Sequence, residues 1–137
     1  MISVYPKILL LLIGLTFACV TVASTARTDC LQWHLSGQFT FIRSDGRKLT
    51  VGSLRHGQTI TGQAYYYEKR LYWGDLKGYI EGHDFNVTIH WQWAARREIY
   101  EGHVDAQGHL SGTTYEEDHP DRSATWYAKQ QLRCASP

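Results

Sequence analysis

Much of the chemistry that would mark an enzyme is missing from this sequence. No Ser-His-Asp order emerges, no glycine-rich loop is set to cradle a phosphate, and no pair of carboxylates faces inward together. Net charge is small as well. Fourteen Lys and Arg stand against thirteen Asp and Glu without a basic patch, which argues against nucleic acid as a partner. Helical periodicity is absent from the region beyond the first apolar run. These absences leave a non-enzymatic protein without catalytic residues, metal or cofactor as the expectation, built on strands and rich in aromatic rings.

The first apolar run, Ile8 to Ala23 after Lys7, is too short and too quickly followed by polar sequence for a transmembrane helix. It reads as a signal peptide over 1–23, cleaved near Ala23 or Ala26, leaving a protein with no membrane segment that is secreted or periplasmic. The rival reading is a lipoprotein signal with Cys19 lipidated, although Thr16 stands where an aliphatic residue is expected. A short polar arm, 24–29, precedes a single domain over 30–134. Cysteine is sparse. Removal of the signal leaves Cys30 and Cys134, near the two ends of that domain, and in an exported chain their simplest use is a disulfide joining the first strand to the last. A metal site or a reactive thiol is the alternative, but helper residues at metal-ligand spacing are lacking.

Phe85 to Trp93 alternates apolar and polar residues without a slip. Phe85, Val87, Ile89, Trp91 and Trp93 therefore share one side of a strand, and Asn86, Thr88, His90 and Gln92 the other. The next segment, Glu98 to Asp105, has the same parity. Pairing Trp91 with Tyr100 would set Ile89 opposite Gly102 and Val87 opposite Val104, with Ala94 to Arg97 as the connection. A loop of Ala106, Gln107 and Gly108 then leads to a third strand, with Val104 against Leu110, Gly102 against Gly112 and Tyr100 against Thr114.

The same alternation runs through Leu31, Trp33, Leu35, Gly37, Phe39 and Phe41. It recurs in a shorter strand with Leu49 and Val51, then in Ile60, Gly62, Ala64 and Tyr66, and in Leu76, Gly78 and Ile80. A last strand, about Ser123 to Cys134, carries Ala124, Trp126 and Ala128. Eight strands at even spacing with short turns predict an all-β fold, an eight-stranded antiparallel up-and-down barrel. An apolar residue followed two positions later by Gly recurs at Leu35/Gly37, Ile60/Gly62, Leu76/Gly78, Ile80/Gly82, Tyr100/Gly102 and Leu110/Gly112, with each Gly assigned inward. Such glycines either let strands coil tightly enough to close or leave a cavity.

Phe85 to Trp93 followed by Tyr100-Glu101-Gly102, together with Thr59-Ile60-Thr61-Gly62, Trp33 with Ser36-Gly37, and Ala124-Thr125-Trp126, resembles the avidin and streptavidin family. The resemblance implies an avidin-like barrel open at one end, with aromatic walls around a small-molecule site. Its biotin-binding positions do not carry over. Leu35 stands where the family has Asn, and Ala94, Ala95 and Arg96 stand where it has hydroxyls. By architecture alone the chain also resembles the small exported barrel inhibitors of bacterial metalloproteases, which would give the arm 24–29 a role.

Among seven histidines, the proposed register sets His90 opposite Glu101 and His103 opposite Thr88, both outward. These read as surface pairs. Glu116 to Asp121 reads as a solvated acidic turn rather than a calcium loop. Two aromatic sets remain as candidate sites. Trp33, Trp91, Tyr100 and Trp126 are expected to line the lumen and bind a small ligand. Tyr65, Tyr67 and Trp73 are expected to turn outward at one rim, either to meet a partner protein, a sugar face or another copy of the barrel, or to stiffen two strands. The expected function is an exported small-ligand or surface-binding module. A barrel-type protease inhibitor or other protein-interaction module, and a structural envelope protein, are the alternatives.

Overall fold

The computed structural model describes residues 18–19, 29–92 and 94–136. Apart from residues 18 and 19 the signal peptide, most of the arm 24–29, and Trp93 lie outside the described residues. The elements are β1 (Gln32–Trp33), β2 (Gly37–Arg43), β3 (Lys48–His56), β4 (Thr59–Glu68), β5 (Arg70–Glu81), β6 (Asp84–Trp91), β7 (Arg96–Val104), β8 (Leu110–Glu116), β9 (His119–Ala128) and β10 (Cys134–Ser136). There is no helix among the described residues.

Strands β2 to β9 pair in sequence order, each antiparallel to the next, and β9 returns to β2 to close the barrel. Alternation explains the closure. In each strand the apolar parity is buried, from Phe41, Leu49, Val51 and Ile60 through Val87 and Ile89 to Trp126 and Ala128, and these side chains form one core. The seam is short. Only Phe41–Ala128, Ile42–Tyr127 and Arg43–Trp126 pair β2 with β9. Beyond it the Gln130 side chain accepts from the Thr40 amide at 2.7 Å, standing in for a missing strand neighbour.

The first and last strands are not single pieces as the alternation suggested. Gly37, with φ at 132°, breaks the first, and β1 leaves the barrel to pair with β10 in a separate ribbon. The Cys30–Cys134 disulfide forms, spanning 104 residues, but it staples this ribbon rather than two barrel strands. The ribbon covers one end: Leu132 donates its amide to Gly108 at 2.8 Å, and Arg55 donates to the Trp33 carbonyl at 2.5 Å. Turns 57–58, 82–83 and 105–109 lie at this closed end. Turns 44–47, 69, 92–95 and 117–118 lie at the opposite, open end.

The β7–β8 register is the expected one, with Val104–Leu110, Gly102–Gly112 and Tyr100–Thr114 all paired. The β6–β7 register is not. Val87 faces Tyr100, Phe85 faces Gly102, and Trp91 faces Arg96 instead of Tyr100, a displacement of four residues. The connection is shorter than the expected Ala94 to Arg97. Arg96 and Arg97 belong instead to β7, where the longer ladder satisfies more backbone groups. An even displacement leaves parity intact, so Trp91 and Tyr100 are both buried as expected.

Two of the six glycines assigned inward are elsewhere: Gly37 is exposed at the entry to β2, and Gly82 takes a left-handed turn conformation with φ at 58°. Gly112 shows what the others do. A Cβ there would fall onto the Glu101 carbonyl oxygen and the Gly102 Cα of the neighbouring strand, so the glycine permits strand coiling rather than opening a cavity. Gly112→Ala is therefore expected to cost about 3 kcal/mol in urea unfolding, whereas Gly52→Ala, whose Cβ meets open space, should change stability by less than about 0.5 kcal/mol. Loss of the disulfide through Cys30→Ser and Cys134→Ser should cost about 4 kcal/mol by the same measurement.

Candidate functional site at the open end and its outer face

The four expected lumen residues are all buried, but they do not line a common cavity. Trp126 packs against Phe41 at 4.5 Å between ring centroids and against Tyr100 at 5.5 Å. Trp91 meets Tyr66 edge-on at 5.1 Å. Trp33 sits apart in the closed-end cap, 5.9 Å from the His83 ring. The internal void bounded by Leu35, Phe39, Phe41, Val51, Ser53, Ile60, Leu76 and Phe85 amounts to about 10 Å³. That is room for at most one water, and its lining is almost wholly apolar.

Toward the open end the interior becomes polar, and these residues were missed in the sequence. Continuing the parity of Phe39 and Phe41 brings Arg43 inward, and continuing that of Tyr100 and Gly102 brings Glu98 inward. The Glu98 carboxylate, 3% exposed, accepts from Trp91 Nε1 at 2.8 Å and from Arg43 Nη1 at 2.5 Å. Arg43 also donates to the Tyr100 hydroxyl at 3.1 Å and forks onto Asp45 at 3.2 and 2.7 Å. A buried carboxylate is tolerable here because each oxygen has a charged or N–H partner. Burial opposes the Arg43 charge, but the facing Tyr100 oxygen and Glu98 carboxylate outweigh it and hold its pKa above the ordinary value. The Tyr100 hydroxyl is pushed well above the usual phenol range, first by burial and then by Glu98.

Above this plug the mouth is built of stacked rings and cations. The Arg47 guanidinium lies 4.3 Å over the Tyr66 ring, Tyr66 stacks on Tyr72 at 4.9 Å, and Arg70 lies 4.9 Å over Tyr72. Beside them a groove of about 440 Å³ is lined by Asp45, Gly46, Arg47, Lys48, Tyr66, Tyr67 and Glu68. The loop at β8–β9 carries ion pairs: Glu116 meets Arg96 at 2.9 Å and Arg122 at 3.7 Å. Among the described residues two that are not glycine hold positive φ, Lys69 at 62° and Ala95 at 45°, and both are at open-end tips. At the closed end the corresponding positions are Gly57, Gly82 and Gly108.

The second set lies on the outer face. Tyr65, Tyr67 and Trp73 all point outward, 39%, 77% and 45% exposed, and Leu71 joins them at 58%. Register makes them neighbours: Tyr65 pairs with Trp73 and Tyr67 with Leu71 across the β4–β5 hairpin. The rings are framed by polar side chains. Thr50 pairs with Tyr65 and Gln63 with Asp75, while Gln92 donates to Asp75 at 2.9 Å and Gln38 to the Tyr65 hydroxyl at 3.5 Å.

The histidines differ from their expected places. His90 faces Arg97, and His103 faces Asp84 with 3.5 Å between Nδ1 and Oδ1, because both follow the displaced β6–β7 register. Among the described residues no group of three or more His, Cys, Asp or Glu side chains is gathered as a metal site.

Removing one partner of the buried pair leaves the other charge stranded. Arg43→Met and Glu98→Leu alone are each expected to cost about 3 kcal/mol or more in urea unfolding. The double variant should recover most of that loss, and a double-mutant cycle measures the recovery. Comparison of the chain with protein-family models, with curated proteins and with solved structures finds no match in any of the three.

Proposed function

We propose that this chain is an exported, non-enzymatic binding module that meets its partner with the outer aromatic face of β4 and β5 rather than with its lumen. The observation that carries this reading is the combination of a filled interior with a contiguous set of large exposed rings. Tyr65, Tyr67, Leu71 and Trp73 form two adjacent cross-strand pairs on one hairpin. Cross-strand aromatic pairs contribute only a few tenths to about 1 kcal/mol to a sheet, so stability alone is a weak reason to leave four such side chains in water.

Two further features support it. The Cys30–Cys134 disulfide suits an oxidising compartment and so agrees with export. The hairpin tip carries Lys69 in a left-handed conformation that glycine would hold at less cost, and such strain is commonly kept where a side chain is used. An avidin-like barrel agrees with the strand count, but the biotin site does not come with it, since Leu35 belongs to the apolar core and Ala94 and Ala95 are exposed in a turn.

Retention of the protein on envelope material from its own source tests the reading. Trp73→Ser and Tyr67→Ser should each reduce retention at least tenfold while lowering Tm by only a few degrees, because both side chains are exposed. Val51→Ile, which fills part of the internal void, should leave retention unchanged. Retention that is absent, or that follows the interior substitution and ignores the outer ones, overturns the proposal. A purely structural tyrosine ladder would show the Tm change without the loss of retention.

A further inference from the structure

We propose that the partner of this face is a neutral glycan chain, an inference that rests on the outer-face reading above and assigns its chemistry. The argument starts from what surrounds the rings. Tyr65 and Trp73 lie directly opposite each other, and the adjoining positions carry side-chain amides, a hydroxyl and one carboxylate, namely Gln38, Thr50, Gln63, Gln92 and Asp75. An apolar protein knob seated on the rings would bury several of these groups and would have to supply a matched partner to each.

A sugar ring meets both demands at once. One face of a pyranose presents C–H groups, slightly positive, to the negative face of an aromatic ring. Its edge carries hydroxyls, each a donor and an acceptor, which suit amides and a carboxylate at the rim. Charge does not favour an acid. Asp75 stands with His90 opposite it, and Lys48 lies beside Tyr67, so the frame carries both signs and gives a uronate, phosphate or sulfate group no advantage over an uncharged ligand.

Extent favours a chain over a single sugar. The Tyr67–Leu71 pair continues the platform beyond Tyr65–Trp73, about 7 Å further along the strands. Both pairs are exposed, and Asp75 is already oriented by Gln92. The sheet beneath is part of a closed barrel with no free edge between β4 and β5, so the platform is set before any ligand arrives.

The test uses the full chain after removal of residues 1–23, with soluble β-1,4-linked hexamers of glucose and of N-acetylglucosamine as neutral probes and polygalacturonate as the acidic one. Tryptophan emission and isothermal titration report binding. One neutral hexamer should bind, Trp73→Ala should weaken it at least tenfold, and Gln63→Ala should weaken it severalfold without moving Tm. Polygalacturonate should bind no more tightly than that hexamer.

If neither hexamer binds, and envelope retention is lost with Trp73→Ser but is removed by protease digestion rather than by glycoside hydrolases, the glycan assignment is overturned and the outer-face function stands. Tighter binding of polygalacturonate by the unaltered chain also overturns it. Retention indifferent to Trp73 overturns both readings.

Discussion

A closed barrel has one inside, and every stave must agree on which of its two sides that is. This two-residue period is the constraint on which the rest depends. It makes Phe41, Ile60, Val87, Tyr100 and Trp126 a single core although they come from five different strands. It also brings the charged pair Arg43 and Glu98 inward where the barrel approaches solvent. Arg43 is the last inward position of β2 and Glu98 the first buried one of β7, and at that height a mutual ion pair with Trp91 and Tyr100 as further partners replaces apolar contact.

Much of this was legible in the sequence, and the misplaced strand partners share a cause. Alternation fixes facing but not height. The β7–β8 register followed from a three-residue loop with Gly108 at its left-handed position, which ties the two strands at a known point. No glycine marks the β6–β7 turn, where Ala95 takes the left-handed conformation instead. Trp91 was therefore set against Tyr100, four residues from its true partner, Arg96, and parity could not detect an even displacement. The histidine neighbours were lost with it.

The candidate site divides in the same way. Tyr65, Tyr67 and Trp73 were readable as an outward set because they sit within uninterrupted strands. The inward pair Arg43 and Glu98 was not, since charged residues near a turn look like loop until a partner across the barrel is known. The glycine repeat was ambiguous for a different reason. A missing side chain in a strand can mean space for a ligand or space for a backbone, and the Glu101 carbonyl beside Gly112 decides for the latter.

The disulfide-stapled ribbon also sets a direction. Cys30 and Cys134 lie together at the covered end, so the polypeptide enters and leaves the barrel on the same side, remote from the hairpin tips that bear Tyr67, Lys69 and Arg47. Whatever attachment is made through either terminus, to a surface or to a fused neighbour, would orient the barrel like a flower on its stem. The rings and cations of the mouth would then point away from the point of fixture, toward whatever diffuses past.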